Sequence, residues 1–204
     1  MAYKNYELDG KITASAAGEF LQHGYEKASL RKIAAGADVT IGAIYTRYKN
    51  KDALFCALTE NLRQKMESLR QEIFCEYKKA AAEGLEQITA VMQHECDMLL
   101  HLMYDRYQEA RLLFCRSTGS SLADYYSRIM EQKQEDVVAA FSDSARLLRV
   151  HLEPEALRIL ISSQFACYLQ ILYGEYSPEE ARKITDTTMR YHIAGWTKLL
   201  RDGK

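Results

Sequence analysis

Residues that can contact a polyanion are concentrated between positions 40 and 51. They are Thr40, Ile41, Gly42, Tyr45, Thr46, Arg47, Tyr48, Lys49 and Lys51. Hydroxyl groups and cations bind phosphate oxygens, and a glycine lets a backbone amide approach them closely. An aliphatic side chain can contact a thymine methyl group. This combination in one short segment indicates recognition of DNA in the major groove.

Two short crossed helices would hold this cluster in place. The residues spaced to pack them together are Ile33, Ala34, Val39 and Ile44. Ser29 is placed to cap the first helix of the pair, and Thr40 begins the second. The Ala37-Asp38 step turns the chain between them. The pair therefore has the form of a helix-turn-helix.

A longer helix precedes this pair and six helices follow it. The first should run from about Asp9 to His23, because apolar residues recur there every four positions, and Gly24 is placed to end it. Asn50 would cap the fourth helix, and Ser177 with Glu180 would form a capping box for the ninth. The fourth to ninth helices are predicted at 51–82, 85–107, 109–115, 122–148, from 154 onward, and at 178–201.

Charge is divided unevenly along the chain. Residues 1–51 carry 8 Lys and Arg against 5 Asp and Glu, whereas residues 52–204 carry 19 against 23. This division fits a DNA-binding domain at residues 1–51 followed by a control domain at residues 52–204. Hydrophobic residues make up 48% and charged residues 27%, which predicts a soluble globular protein.

Several other classes of protein are disfavoured. There is no apolar run of about eighteen residues and no apolar N-terminal core, so we expect a cytoplasmic protein without a membrane partner. The 5 cysteines are widely spaced, which argues against a disulfide framework or a zinc site. The sequence lacks a nucleophile elbow, a glycine-rich phosphate loop and a Glu-x-x-His motif, so we expect no catalytic residue, metal or cofactor.

Residues 12–58 resemble the N-terminal DNA-binding domain of TetR-family transcriptional regulators. The matching motifs are His23-Gly24-Tyr25, Ser29-Leu30-Arg31-Lys32-Ile33-Ala34, Gly42-Ala43-Ile44-Tyr45 and Tyr48-Lys49-Asn50-Lys51-Asp52-Ala53-Leu54. The resemblance implies a homodimer whose two third helices enter successive major grooves of a palindromic double-stranded operator. It also implies a C-terminal helical domain that dimerises and binds a small-molecule effector.

The resemblance further implies roles for single residues. Phosphate contacts are implied for Ser29, Gly42, Tyr45 and Lys51. Base contacts are implied for Thr40, Ile41 and Thr46. Ile41 stands where lysine is frequent in the family, and we expect it to touch a thymine methyl instead. Arg47 stands where histidine is frequent, and we expect it to bind a phosphate. Lys49 is expected to contact the DNA beside it. Tyr48 is expected to pack in the core.

Methionine, aromatic and histidine side chains are frequent on the central helices of the C-terminal part. Such side chains suit an adaptable apolar pocket, and they equally suit a filled core, so both interpretations stay open. The candidate pocket residues are Met98, His101, Tyr104, Tyr126, Met130, Phe165 and Tyr168.

The eighth and ninth helices are the candidates for a dimer interface. The eighth is apolar over most of 157–172, and the ninth carries the small pair Ala194 and Gly195, which permits close helix contact. The hydrophobic core of a single chain could use the same residues instead of a dimer interface. The candidate interface residues are Leu160, Ile161, Phe165, Leu169, Tyr191, Ala194, Gly195 and Leu199.

The sequence therefore predicts an all-α protein of about nine helices, with an N-terminal helix-turn-helix domain and a C-terminal ligand-binding and dimerisation domain. The predicted function is that of a repressor, and not an enzyme, released from its operator by a small molecule. One alternative is an activator or a ligand-independent regulator of the same fold. Another is a helical ligand-binding or enzymatic protein that uses the N-terminal module for protein contacts.

Overall fold

The computed structural model describes residues 3–141 and 153–202, and within these ranges the regular elements are nine α-helices. Their bounds are α1 Tyr3–Lys27, α2 Leu30–Gly36, α3 Ile41–Arg47, α4 Lys51–Glu83, α5 Leu85–Asp105, α6 Tyr107–Cys115, α7 Tyr125–Phe141, α8 Pro154–Gly174 and α9 Pro178–Asp202. The predicted all-α fold is confirmed. The predicted end of the seventh helix, at residue 148, lies outside the described residues.

Local signals placed several helix ends correctly. Gly24 has a φ of 73° and interrupts the regular helix of α1 just after His23. The Asn50 Oδ1 accepts a hydrogen bond from the amide of Ala53 at 2.7 Å, which caps α4. Ser177 and Glu180 form the predicted capping box, since the amide of Ser177 donates to the Glu180 carboxylate at 2.9 Å and the amide of Glu180 donates to the Ser177 hydroxyl at 3.3 Å.

The chain divides into two compact units within α4. The first contains residues 3–64 and 106–125, and the second contains residues 65–105, 126–141 and 153–202. By packing, α6 therefore belongs with the N-terminal helices. The functional division after residue 51 stays a prediction, because it concerns what each part binds.

Three aromatic rings form the centre of the first unit. Phe20 and Phe55 are completely buried and meet edge to face, with ring centroids 5.0 Å apart. Tyr25 lies against both rings, at 6.0 Å from Phe20 and 5.3 Å from Phe55. Ile33 and Ile44 are also buried, so the apolar residues of α2 and α3 pack the two helices onto this centre as the spacing predicts.

The second unit is a bundle in which α9 packs against both α5 and α8. Its core is largely aliphatic, with Ile88, Met103, Ile171 and Leu172 all nearly inaccessible to solvent. Two charged side chains, Glu95 and Lys133, are buried in the same unit. Buried charges of this kind are rare unless they are paired.

Among the described residues, one segment of α8, Glu155–Gly174, is long and apolar enough to cross a membrane. A single such helix is weak evidence for a span, since core helices of globular proteins have the same length and composition. About one third of the segment is buried within this chain. Ile159 and Tyr173 in the same segment are more than half exposed.

Candidate nucleic-acid interface

The turn between α2 and α3 fixes the angle at which α3 is presented. Asp38 adopts the left-handed conformation, with a φ of 54°, which aspartate tolerates better than most residues. The amide of Val39 then donates to the carbonyl oxygen of Ala34 at 2.9 Å. On the α1 side, the Ser15 hydroxyl donates to the carbonyl oxygen of Ile33 at 2.9 Å. These contacts hold α2 and the turn on α1, so α3 is presented on a fixed base.

Hydroxyl groups at both ends of α3 are bonded within the helix. Thr40 is the N-cap, and its hydroxyl oxygen accepts from the amide of Ala43 at 3.1 Å. The Thr46 hydroxyl donates to the carbonyl oxygen of Gly42 at 2.8 Å. Thr40 therefore keeps a donor for an external partner, whereas Thr46 keeps acceptor lone pairs. Both side chains are exposed.

Gly42 and Tyr45 lie on the exposed side of α3. A Cβ atom at Gly42 would meet nothing nearer than the Thr40 hydroxyl oxygen, at 3.7 Å. The chain itself therefore does not require a glycine at this position, which is consistent with a close external contact. The Tyr45 side chain is 52% exposed. Ile41, on the same helix, is half-buried.

Arg47 is bound to α1. Its Nε atom donates to the Asp9 carboxylate, and its Nη1 atom donates to the carbonyl oxygen of Ala43 at 3.2 Å. Only 19% of the Arg47 side chain is exposed. A phosphate clamp at Arg47 therefore has to compete with Asp9, an ion pair that sequence reasoning did not identify.

Lys51 is also engaged within the chain. Its ammonium group donates to the carbonyl oxygens of Tyr25 at 2.8 Å, Glu26 at 3.1 Å and Ala28 at 3.3 Å. The same group lies 4.5 Å from the centroid of the Tyr25 ring. Lys51 thus joins the start of α4 to the end of α1, and a phosphate contact by this residue stays a prediction. Lys49, by contrast, is exposed.

Ser29 occupies the N-cap position of α2, but the predicted cap hydrogen bond is absent. The side chain makes no cap bond, and the Ser29 amide instead donates to the Glu19 carboxylate at 3.0 Å. The hydrogen-bond acceptor of that amide is therefore a side chain of α1. Ser29 therefore does not use its hydroxyl as a cap, and its contact with phosphate stays a prediction.

The loop after α6 holds the junction between α1 and α4. Asp52 accepts hydrogen bonds from the amide of Ser121 at 2.9 Å and from its hydroxyl at 2.7 Å. Burial raises the pKa of Asp52, but these hydrogen bonds outweigh it and the pKa is lowered overall. The amide of Tyr25 donates to the carbonyl oxygen of Arg116 at 2.9 Å. The α6 loop is therefore part of the scaffold that positions α3.

The candidate pocket residues differ in burial. Phe165 and Tyr168 are buried, with ring centroids 5.8 Å apart. His101 is exposed, and the Tyr104 hydroxyl donates to the carbonyl oxygen of Tyr176 at 2.7 Å. The half-buried candidates are Met98, Tyr104, Tyr126 and Met130. Their role in effector binding stays a prediction.

The candidate dimer residues separate into a buried and an exposed group. Ile161 and Phe165 are 4% and 8% exposed, because they belong to the core of their own unit. Leu160 and Leu169 are half-buried. The exposed candidates are Tyr191, Ala194, Gly195 and Leu199. A contact with a second subunit would therefore use the α9 residues and the outer side of α8.

Comparison with known proteins agrees with this geometry. Residues 12–58 match the family model described as "Bacterial regulatory proteins, tetR family". The chain is 29% identical over 104 residues to the "Probable acrEF/envCD operon repressor" of Escherichia coli K12, an alignment that covers 47% of this chain and 46% of that protein. The match thus spans about half the length of this relative.

A second relative and a solved structure extend the similarity. The "HTH-type transcriptional repressor Rv1474c" of Mycobacterium tuberculosis is 26% identical over 156 residues, covering 75% of this chain and 71% of that protein. The structure of NalD, "the secondary repressor of MexAB-OprM multidrug efflux pump in Pseudomonas aeruginosa", superposes with a TM-score of 0.59 at 17% identity. It covers 92% of this chain and 96% of NalD. This structural likeness concerns the fold.

Proposed function

We propose that this chain, which carries the N-terminal domain of the tetR family of bacterial regulatory proteins, acts as a cytoplasmic, homodimeric transcriptional repressor. The observation that carries the proposal is the exposed face of α3, where Thr40, Gly42, Tyr45 and Thr46 are presented on a rigid helix pair. Its relatives described as repressors support the same direction of regulation.

The proposed DNA contacts divide between phosphates and bases. Gly42 through its amide, together with Tyr45, Lys49 and Ser29, would contact phosphates and fix the register. Base contacts would come from the start and middle of α3, through Thr40, Ile41 and Thr46. Arg47 and Lys51 would join the phosphate set only by leaving their partners within the chain.

Two copies of the chain would read a palindromic operator. A two-fold dimer presents its recognition helices about one DNA turn apart, or about 34 Å. Some apolar or small residues are exposed on α8 and α9, and they support such a dimer because they lie outside the core. They are Ile159, Tyr191, Ala194, Gly195 and Leu199.

The second unit would bind the effector that controls release. A ligand shifts the protein away from the DNA-bound geometry only if it binds the other geometry more tightly. A hundredfold loss of operator affinity corresponds to about 2.7 kcal/mol of such preference.

Operator selection from a random DNA library, followed by binding measurements at several salt concentrations, tests this proposal. We expect a palindromic site and a log–log slope of roughly −7, for about eight phosphate contacts in the dimer. Tyr45→Ala should weaken binding, and Tyr176→Ala, which changes an exposed tyrosine between α8 and α9, is the control. A protein that binds no DNA at near-physiological salt would support the alternative, in which the N-terminal module contacts another protein.

A further inference from the structure

A buried ion pair joins two helices of the second unit. The Lys133 ammonium on α7 lies 2.5 Å from the Glu95 Oε1 atom on α5, and the two side chains are only 10% and 8% exposed. The Tyr77 hydroxyl on α4 donates to the other carboxylate oxygen, Oε2, at 2.9 Å. Both oxygens of Glu95 are thus directed at fixed partners in the interior.

Aromatic rings form further walls around the same ammonium group. The Lys133 Nζ atom lies 4.6 Å from the centroid of the Tyr77 ring and 5.6 Å from that of the Phe165 ring. The face of an aromatic ring carries negative electrostatic potential and attracts cations. A carboxylate and two ring faces, supplied by α4, α5 and α8, therefore surround one position. We call Glu95, Tyr77 and Phe165 the cation cage.

The stability of the fold gives little reason for a charge at this position. Removing two charges from water costs several kcal/mol per ion, and apolar side chains of similar volume often stabilise such a site as well or better. The helices that supply Tyr77 and Phe165 bury aliphatic residues one turn earlier, namely Ile73 on α4 and Ile161 on α8. The cation cage is therefore better explained by recognition than by stability.

The chemistry of the cage selects a cation over an anion. An anion at the Lys133 Nζ position would meet the Glu95 carboxylate and two negative ring faces, all of which repel it. An organic ammonium would meet the contacts that Lys133 makes now. Lys133 is a long, unbranched side chain with several rotatable bonds, whereas the cage groups are held by three separate helices.

We propose that the cation cage recognises the ammonium group of the effector, and that Lys133 is a tethered occupant which the effector displaces. The proposal rests on the proposed repressor function and specifies the chemical class of its effector, an amine with an apolar body. Displacement would break the link between α7 and α5 while Arg70 still pairs with Asp136 at 2.7 Å. The packing of α7 would then change, and by linkage the operator affinity would fall.

The first experiment replaces the tethered ammonium with a free one. Lys133→Ala removes three methylenes and the ammonium, a volume that n-propylammonium can fill. We expect n-propylammonium chloride to raise the melting temperature of this variant in a saturable manner. Propan-1-ol at the same concentration should not raise the melting temperature, and neither should NaCl at the same ionic strength. The double variant Glu95→Gln/Lys133→Ala should show no rise, because the cage has lost its charge.

The second experiment uses the wild-type chain, so it does not depend on the folding of Lys133→Ala. We expect 3-phenylpropylammonium to lower operator affinity at constant ionic strength. The matched variant Glu95→Gln/Lys133→Met, which has no unpaired buried charge, should bind operator with no response to the amine. Lys133→Met alone should bind the amine about tenfold more tightly or better, because the tethered competitor is gone.

Three results would overturn the inference. One is binding of the amine without any change in operator affinity. Another is equal release by 3-phenylpropionate, which would make Lys133 the receptor for an anion. The third is an unchanged response in the Glu95→Gln/Lys133→Met variant. In each case, operator binding by the untreated wild type would still support the repressor function, whereas its failure would contradict that function separately.

Discussion

At the scale of single residues, two of the cations near α3 are already bound to groups of the same chain. Arg47 pairs with Asp9, and Lys51 binds three carbonyl oxygens at the end of α1. These contacts orient the helix pair, but they also reduce the positive charge that is free to meet phosphate. The electrostatic part of DNA binding should therefore depend on which of these contacts a phosphate can replace.

Replacing Asp9 tests this competition directly. Asp9→Asn should raise operator affinity and steepen the salt dependence by about 0.9 per subunit, because it releases the Arg47 guanidinium and removes a negative charge. Fluorescence anisotropy over a range of salt concentrations measures both quantities. Glu7→Gln is the control, since Glu7 is exposed on the same helix and pairs with Lys11 at 3.7 Å. An unchanged slope in Asp9→Asn would remove Arg47 from the phosphate set.

Lys51 should prove important for stability. Lys51→Met should lower the free energy of unfolding by about 1–3 kcal/mol, because carbonyl oxygens of Tyr25, Glu26 and Ala28 lose a charged donor. Chemical denaturation measures the change, and Lys49→Met, an exposed lysine, should leave the free energy of unfolding nearly unchanged. If the two variants were equally stable, the contacts of Lys51 would not support the fold.

At the scale of helices, contacts between side chains far apart in sequence determine how α4 is held along its length. Its first turn is bound by the loop after α6, through Asp52 and Ser121. In the second unit, Glu76 on α4 forms a hydrogen bond with His94 Nδ1 on α5 at 2.9 Å. The hydrogen bond to Glu76, with help from the charges of Glu72 and Asp97, raises the pKa of His94.

The contact between His94 and Glu76 should therefore make stability depend on pH. Because the pKa of His94 is higher in the folded state, its contribution is fully present below the unfolded value of about 6.5 and is lost as pH rises through the folded pKa. Unfolding measured from pH about 5.5 to 8 should show wild type losing its advantage over His94→Gln. The effect should stay below about 1 kcal/mol, since the pair is exposed. Glu76→Gln, which removes the hydrogen-bond partner of His94, should lose the same pH dependence as His94→Gln.

At the scale of the whole molecule, α8 and α9 leave apolar surface uncovered by their own chain. Tyr191 is 77% exposed, Ile159 53% and Leu199 38%. Scattered exposed apolar residues are common, but here they share two neighbouring helices with the small residues Ala194 and Gly195. The arrangement supports the proposed dimer, in which the recognition helices are spaced by the α8–α9 contact.

Substitution of Gly195 separates dimerisation from folding. A Cβ atom at Gly195 would meet no atom of its own chain within 4 Å, so Gly195→Glu should fold normally. A second subunit packed closely on this position would be pushed away, and sedimentation should show monomers. Gly18→Glu, at another exposed helical glycine without close neighbours, should remain dimeric. A fully dimeric Gly195→Glu would assign the interface to another surface.

Short-range information in the sequence determined the all-α fold, the α2–α3 pair and several helix ends. The apolar spacing of Ile33 and Ile44, the helix end at Gly24 and the caps at Asn50 and Ser177 all depend on residues close together in the sequence, so the sequence alone reveals them. The exposed face of α3 follows from the same periodicity. These features also carried the resemblance to DNA-binding regulators.

Only the tertiary structure decided which polar groups meet. Arg47 and Asp9 lie 38 positions apart, and Ser121 and Asp52 lie 69 apart. Lys133 and Glu95 are separated by 38 positions and look like ordinary charged residues of amphipathic helices. No local pattern marks such partners, because their distance is set by how whole helices pack. The engagement of Lys51 and the existence of the cation cage therefore followed from the packing alone.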